Sequence, residues 1–200
     1  MFESSDLRGD LRRANLRNAD LSYANLRDLD LSYADLRNAD LSNANLTNVN
    51  LTGADLRDIH LADTHFIYAD LSYANLCGVD FNNTDLSYTN LRNANLIGSK
   101  LTSNILRGAN LCGVDLTDAD LTGSNLTGSN LTNANLVMAN LSNSDLSNAN
   151  LGSVDLRGAN LTNADLRNVN LSDADLTGAN LTALNLIGAD LTGAKFDDVD

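Results

Sequence analysis

The sequence predicts an all-β chain wound into stacked coils, with a corner once in every five residues. Three periodic features carry that prediction. From Leu11 to Phe196 an apolar residue occupies every fifth position, 38 in all, of which 35 are Leu and the others Phe66, Phe81 and Phe196. Two residues before each of these centres, 34 of the 38 positions hold a small residue, nearly always Ala, Val, Ser or Thr; the exceptions are Leu29, Ile59, Asn104 and Leu184. Two residues after the centre stand 11 of the 13 glycines and a further 11 asparagines.

A period of five excludes the regular elements. On an α-helix each step of five advances by about 140°, so the leucines would scatter around the axis. On a continuous strand an odd period sends successive leucines to opposite faces. A chain that turns once per repeat keeps every centre pointing at a common axis. The small residue two earlier then points inward too, where a larger one would overfill the interior. Gly and Asn tolerate the positive φ that the third residue of a type II turn requires. The repeats that carry Ser, Tyr or Asp there are expected to use other turn types. The chain has no Pro, as suits a backbone whose N–H groups serve inter-coil hydrogen bonds.

The repeating unit reads A-(D/N)-L-x-x, as in Ala14-Asn15-Leu16-Arg17-Asn18. In tandem over residues 11–200 it resembles the pentapeptide-repeat family. That resemblance implies a right-handed, quadrilateral parallel β-helix with four repeats per coil and about nine coils. Arg17, Arg37 and Arg57 lie 20 apart and would share a face. At a strand spacing of roughly 4.8 Å the rod would be roughly 45 Å long. The register slips near the start, where Leu7 and Leu11 are four apart, so residues 1–10 are expected to form an N-terminal cap. No amphipathic helix follows the last repeat. The rod is therefore expected to be a monomer or an end-to-end dimer, with Asp197, Asp198 and Asp200 opposing growth.

Acids number 26 and bases 13, for a formal net charge of −13. Such a chain repels nucleic acid overall, so direct nucleic-acid binding is not expected. No apolar run approaches the roughly 18 residues of a membrane span. The start, MFESSDLRGD, lacks the pattern of a secretory signal. Cys77 and Cys112 are 35 apart and fall on different faces, so a disulfide is not expected. Unpaired thiols fit a reducing cytoplasm. No nucleophile–base constellation, phosphate loop or metal motif is present. The expectation is a non-enzyme with no catalytic residues, no cofactor and no metal.

Four places depart from the regular unit. Residues 98–107 put Asn104 at an inward position and Ile105 at an outward one, which requires either a bulge or a buried, hydrogen-bonded amide. His60 and His65 replace the Asp or Asn before the centre on adjacent faces, with too few neighbouring ligands for a metal. Ile67 and Tyr68 should be exposed, and Tyr88, 20 after Tyr68, should stack on it. With His65 at the edge, this is the expected protein-contact face. Asp20, Asp40, Asp80 and Asp120 should share an acidic face, interrupted by His60 and Lys100.

The expected function is a non-catalytic scaffold or protein-binding rod of unassigned role. Units such as DLSYANL and NLTGANL look like those of many bacterial, especially cyanobacterial, members of the family. The resemblance also implies an alternative, because some members of similar size inhibit and protect DNA gyrase as acidic mimics of DNA. B-DNA of the same length would carry about 26 charges, twice the net charge of this chain.

Overall fold

In the computed structural model, residues 10–82 and 84–199 are described. The expected cap at 1–10 lies outside them except for Asp10. Among the described residues there is no helix; each pentapeptide contributes one tight turn and one residue bridged to the neighbouring coils. The bridged residue is the one before the centre, and its parallel partner lies 20 positions away, from Asn15 with Asp35 to Asp175 with Lys195. Four pentapeptides therefore complete one coil, and residues 20 apart form columns along the rod.

The unit 119–123 shows where the backbone donors go. Asp120 N–H donates down to the Ser99 carbonyl at 3.0 Å, and Leu121 and Gly123 donate up to Asn140 and Ser142 at 2.7 and 2.9 Å. Ala119 N–H closes the preceding turn on the Leu116 carbonyl at 3.0 Å. The fifth donor, Thr122 N–H, is taken by the Asp120 side chain, Oδ1, at 3.0 Å. Every N–H of the unit thus has an acceptor, so a proline at any of the five positions would remove a bond.

One sequence expectation is corrected at the corners. All described corner residues have positive φ, at 26 non-glycine residues as well as 11 glycines. Tyr68 (60°), Asp118 (57°), Ser153 (55°) and Met138 (60°) adopt the same conformation as Gly123 (65°). The corners do not switch turn type with residue type. Three inter-coil and turn hydrogen bonds fix each unit, and together they outweigh the roughly 1–2 kcal/mol that the left-handed region costs an L-residue.

The interior is filled by the centres and the small residues before them. Leu21 through Leu176 are buried at every centre, and Phe66 and Phe81 meet edge to face with centroids 6.4 Å apart. Ala dominates the second inward position, and Ile59 is still accommodated there, buried. The rod has a solid core, so any surface for another molecule lies on its outer faces or its ends.

Candidate functional site

The Asp or Asn before each centre is a turn device first. Every such residue among the described positions accepts the N–H two residues on, as Asp20 does from Ser22 (3.1 Å), Asn75 from Cys77 (3.4 Å) and Asp190 from Thr192 (3.0 Å). This is an Asx turn, which explains why Asp and Asn interchange freely there. Sequence reasoning missed this role, although the alternation of Asp with Asn at one fixed offset was its signal. Five positions lack it: His60, His65, Lys100, Ile105 and Lys195.

The acidic column is built as expected, with bridges joining Asp20 to Asp40, Asp40 to His60, and Asp80 to Lys100 to Asp120. Each of the four carboxylates spends Oδ1 on the backbone N–H of residues 22, 42, 82 and 122. The Ser22 hydroxyl and N–H together hold the Asp20 carboxyl below its ordinary value. Lys100 Nζ lies 3.7 Å from Asp80, which further dilutes the negative face.

Tyr68 and Tyr88 stack at 5.3 Å between ring centroids with 18° between planes, and both remain about half exposed. His65 is exposed beside them. Ile67 departs from expectation: it is half-buried, because its neighbours along the column shelter its stem. Beyond Tyr88 the column continues with Gly108, where a Cβ would meet the tyrosine ring at 2.7 Å. Ile105 joins the same surface, 45% exposed.

No bulge forms at 98–107. Ile105 keeps its bridges to Asp85 and Asn125, and Asn104 is buried. Its Nδ2 donates to the Phe81 carbonyl at 2.7 Å and to Thr84 Oγ1 at 3.1 Å, while Oδ1 has no partner. Thr64 makes the equivalent bond one coil earlier, to the Leu41 carbonyl at 2.9 Å. Near this corner an open hollow of about 330 Å³ is lined by Ser42, Ile59, His60, Leu61, Ala62, Asp80 and Asn82. Among the described residues no group of His, Cys, Asp and Glu converges on a metal position, and Cys77 and Cys112 are both free thiols. No helix of the described residues is long and apolar enough to cross a membrane.

The arginines divide by the residue two before them. Arg37 and Arg57 follow Asp-Leu and fold back on Asp35 and Asp55, with Nη2–Oδ2 distances of 2.5 and 2.7 Å. Arg157 and Arg167 do the same on Asp155 and Asp165. Arg37 also reaches Asp55 in the next coil at 3.5 Å, as the column of Arg17, Arg37 and Arg57 foretold. The Arg37 hydrogen bonds hold the Asp35 carboxyl down to about 2. Arg92 follows Asn-Leu and Arg107 follows Ile-Leu. Both are exposed, and neither has a described carboxylate within ion-pair distance.

The family model described as pentapeptide repeats matches eight copies across this chain, over 10–48, 44–83, 80–118, 113–148, 144–182 and 159–198. Among solved structures, HetL from the cyanobacterium Nostoc sp. strain PCC 7120 is 31% identical, with a TM-score of 0.60 over 94% of this chain and 90% of its own. HetL is described as a pentapeptide repeat protein involved in heterocyst differentiation regulation. Rfr23 from the cyanobacterium Cyanothece 51142 is 44% identical over 45% of this chain and 62% of its own, with a TM-score of 0.45. The fluoroquinolone resistance protein QnrB1 is 23% identical over 85% of this chain and 92% of its own, with a TM-score of 0.44, too slight a likeness to carry an argument. No curated protein matches. Tandem A-(D/N)-L-x-x units, 20-residue coils and the family match along nearly its whole length agree: this chain belongs to the pentapeptide-repeat family.

Proposed function

We propose that this protein is a non-catalytic rod, a right-handed quadrilateral β-helix, that binds another protein through an outer face. The observation that carries the reading is the solid core. Leucines and alanines fill the axis from Leu21 to Ala179, so recognition has to use the outside. There, the stacked pair Tyr68–Tyr88 with His65 and Ile67 is an aromatic group that neither solubility nor turn formation requires. Aromatic anchors with polar surroundings are where interfaces gain energy. The kinship with Hetl-type regulatory repeat proteins supports a role in protein contacts rather than chemistry. Its two half-buried thiols suit a reducing compartment such as the cytoplasm.

The experiment is the double variant Tyr68→Ser/Tyr88→Ser, used as bait beside the parent protein in affinity capture from the source cell. The expected result is loss of a specifically captured protein with a melting temperature close to the parent's. A partner still bound, with a lowered melting temperature, would make the ring pair a structural ladder and remove this face.

A further inference from the structure

We propose that the patch around the Tyr68–Tyr88 pair docks an extended, acidic segment of a partner protein. The proposal rests on the protein-binding reading above and specifies its partner's chemistry. Three features meet there that occur separately elsewhere on the rod.

The first is unsatisfied positive charge. Arg12, Arg37, Arg57, Arg157 and Arg167 are each held by the aspartate two residues before them. Arg92 and Arg107 have Asn90 and Ile105 at that offset instead, so their guanidinium groups are left for another carboxylate. The Tyr88 N–H donates to the Arg107 carbonyl at 3.0 Å, which places Arg107 beside Tyr88 in the next coil. Arg92 is four residues past Tyr88, round the same corner. The two cations therefore flank the ring pair.

The second feature is a pair of backbone donors without acceptors. With His65 and Ile105 in place of Asp or Asn, the N–H groups of Ile67 and Arg107 have no Asx partner. Both belong to one column, two coils apart, or roughly 10 Å at the spacing of stacked strands. Three residues of an extended chain span about the same distance. Between them Ser87 N–H is already bonded to Asp85 at 2.8 Å. The third feature is apolar surface for an anchor: the faces of Tyr68 and Tyr88 and the exposed side chain of Ile105.

Charge selects the occupant. On a chain with 26 acids against 13 bases, long polyanions are repelled along the whole rod. A short acidic segment meets two unpaired arginines and two N–H donors at this one place. Guanidinium–carboxylate pairs and N–H-to-carboxylate bonds are among the stronger hydrogen bonds, and the adjoining rings and Ile105 supply apolar contact.

The test uses the whole purified chain and a fluorescein-labelled synthetic 12-residue peptide with Glu at every third position and Leu and Tyr between. Matched peptides carry Gln or Lys in place of Glu. Fluorescence anisotropy should show the Glu peptide binding at least tenfold more tightly than either control, and more weakly as salt rises. Arg92→Gln/Arg107→Gln should weaken it at least tenfold with an unchanged melting temperature. Equal binding of the Glu and Gln peptides, no measurable binding of the Glu peptide, or an unaffected double variant would each overturn the proposal. Self-association that the same variant abolishes would assign the patch to a second copy of this chain and also overturn it. If capture still depends on Tyr68 and Tyr88 while the Glu peptide fails to bind, the protein-binding reading stands and only the acidic partner falls.

Discussion

Residues 106–180 and residues 59–105 have the same architecture by different degrees of compliance. In the first stretch every residue before a centre is Asp or Asn and accepts its turn N–H, from Asn110 with Cys112 to Asn180 with Thr182. In the second, His60, His65, Lys100 and Ile105 leave that bond unmade, and Thr64, Thr84 and Asn104 put polar atoms inside. The coil nevertheless keeps its 20-residue register through both. The bridging and turn hydrogen bonds, with the buried centres, are sufficient for the fold. The Asx turn adds to them and can be given up locally, where the outer face then presents other side chains.

The largest expected effect breaks the regular stretch from within. Leu126 is fully buried between coils of leucine and alanine. Leu126→Asp should cost at least the roughly 2–5 kcal/mol of a buried Leu→Ala change, with a carboxylate left unpaired in the core besides. Because each coil touches only its neighbours, thermal unfolding should either collapse by tens of degrees or split into two transitions. Melting within a few degrees of the parent would place Leu126 outside the core.

Acid should act next, and on the flanks of the irregular stretch. Asp35, Asp55, Asp155 and Asp165 are held below their ordinary values by side-chain hydrogen bonds from the arginine two residues on, Asp35 at about 2. A carboxylate whose folded pKa lies below its unfolded value of about 3.9 contributes stability above that value and loses it as pH falls through the folded pKa. The melting temperature should therefore hold level from pH 7 to about 5 and drop between about pH 4 and pH 2. Asp35→Asn/Asp55→Asn keeps both Asx acceptors and removes both ion pairs, so its acid slope should be shallower. An unchanged slope would show that those pairs are as weak as most exposed salt bridges.

The Asx bond can be added or removed one at a time. Asn130 accepts Thr132 N–H at 3.1 Å, and Asn130→Ala should cost about 0.5–1.5 kcal/mol. His60→Asn should supply the acceptor that Ala62 N–H lacks and stabilise by a similar amount. Chemical denaturation of the two variants checks both signs. A neutral His60→Asn would mean that water already serves that donor as well as an asparagine would.

How far the sequence was legible follows from what a period can encode. The coil, the buried centres and the small inward residues were readable because a five-residue repeat leaves them no alternative. Stacking of Tyr68 on Tyr88 followed from their separation of 20 once four units per coil was implied. The corner conformation was misread, since propensity at Tyr or Asp corners argues against positive φ and only the inter-coil bonds override it. The meaning of the Asp/Asn position was missed because acid and amide were read as charge, whereas both present the same Oδ1. The contrast between Asp-Leu-Arg and Asn-Leu-Arg was present in the sequence too, but it acquires meaning only when the arginine is seen to fold back on the residue two before it.

The smallest effect isolates the ring contact on a single column. Gly108 and Gly128 occupy the same corner one coil apart, with φ of 63° and 65°. Each would pay the same left-handed penalty on change to alanine, about 1–2 kcal/mol. Their surroundings differ. A Cβ at Gly128 meets nothing within 4 Å, whereas one at Gly108 meets Tyr88 Cε1 at 2.7 Å and Cδ1 at 2.8 Å. The Tyr88 ring must tilt to admit it, which disturbs its stacking on Tyr68. The stacked pair is worth about 0.5–1.5 kcal/mol, and a tilt forfeits only part of that. Gly108→Ala should thus be less stable than Gly128→Ala by a few tenths up to about 1 kcal/mol. The excess should vanish in a Tyr88→Ser background, where no ring covers Gly108. If the two alanine variants melt together with Tyr88 intact, the ring is free to leave the glycine without cost. The surface around Tyr68 and Tyr88 would then be a mobile pair of side chains, and a partner would have to order them on binding.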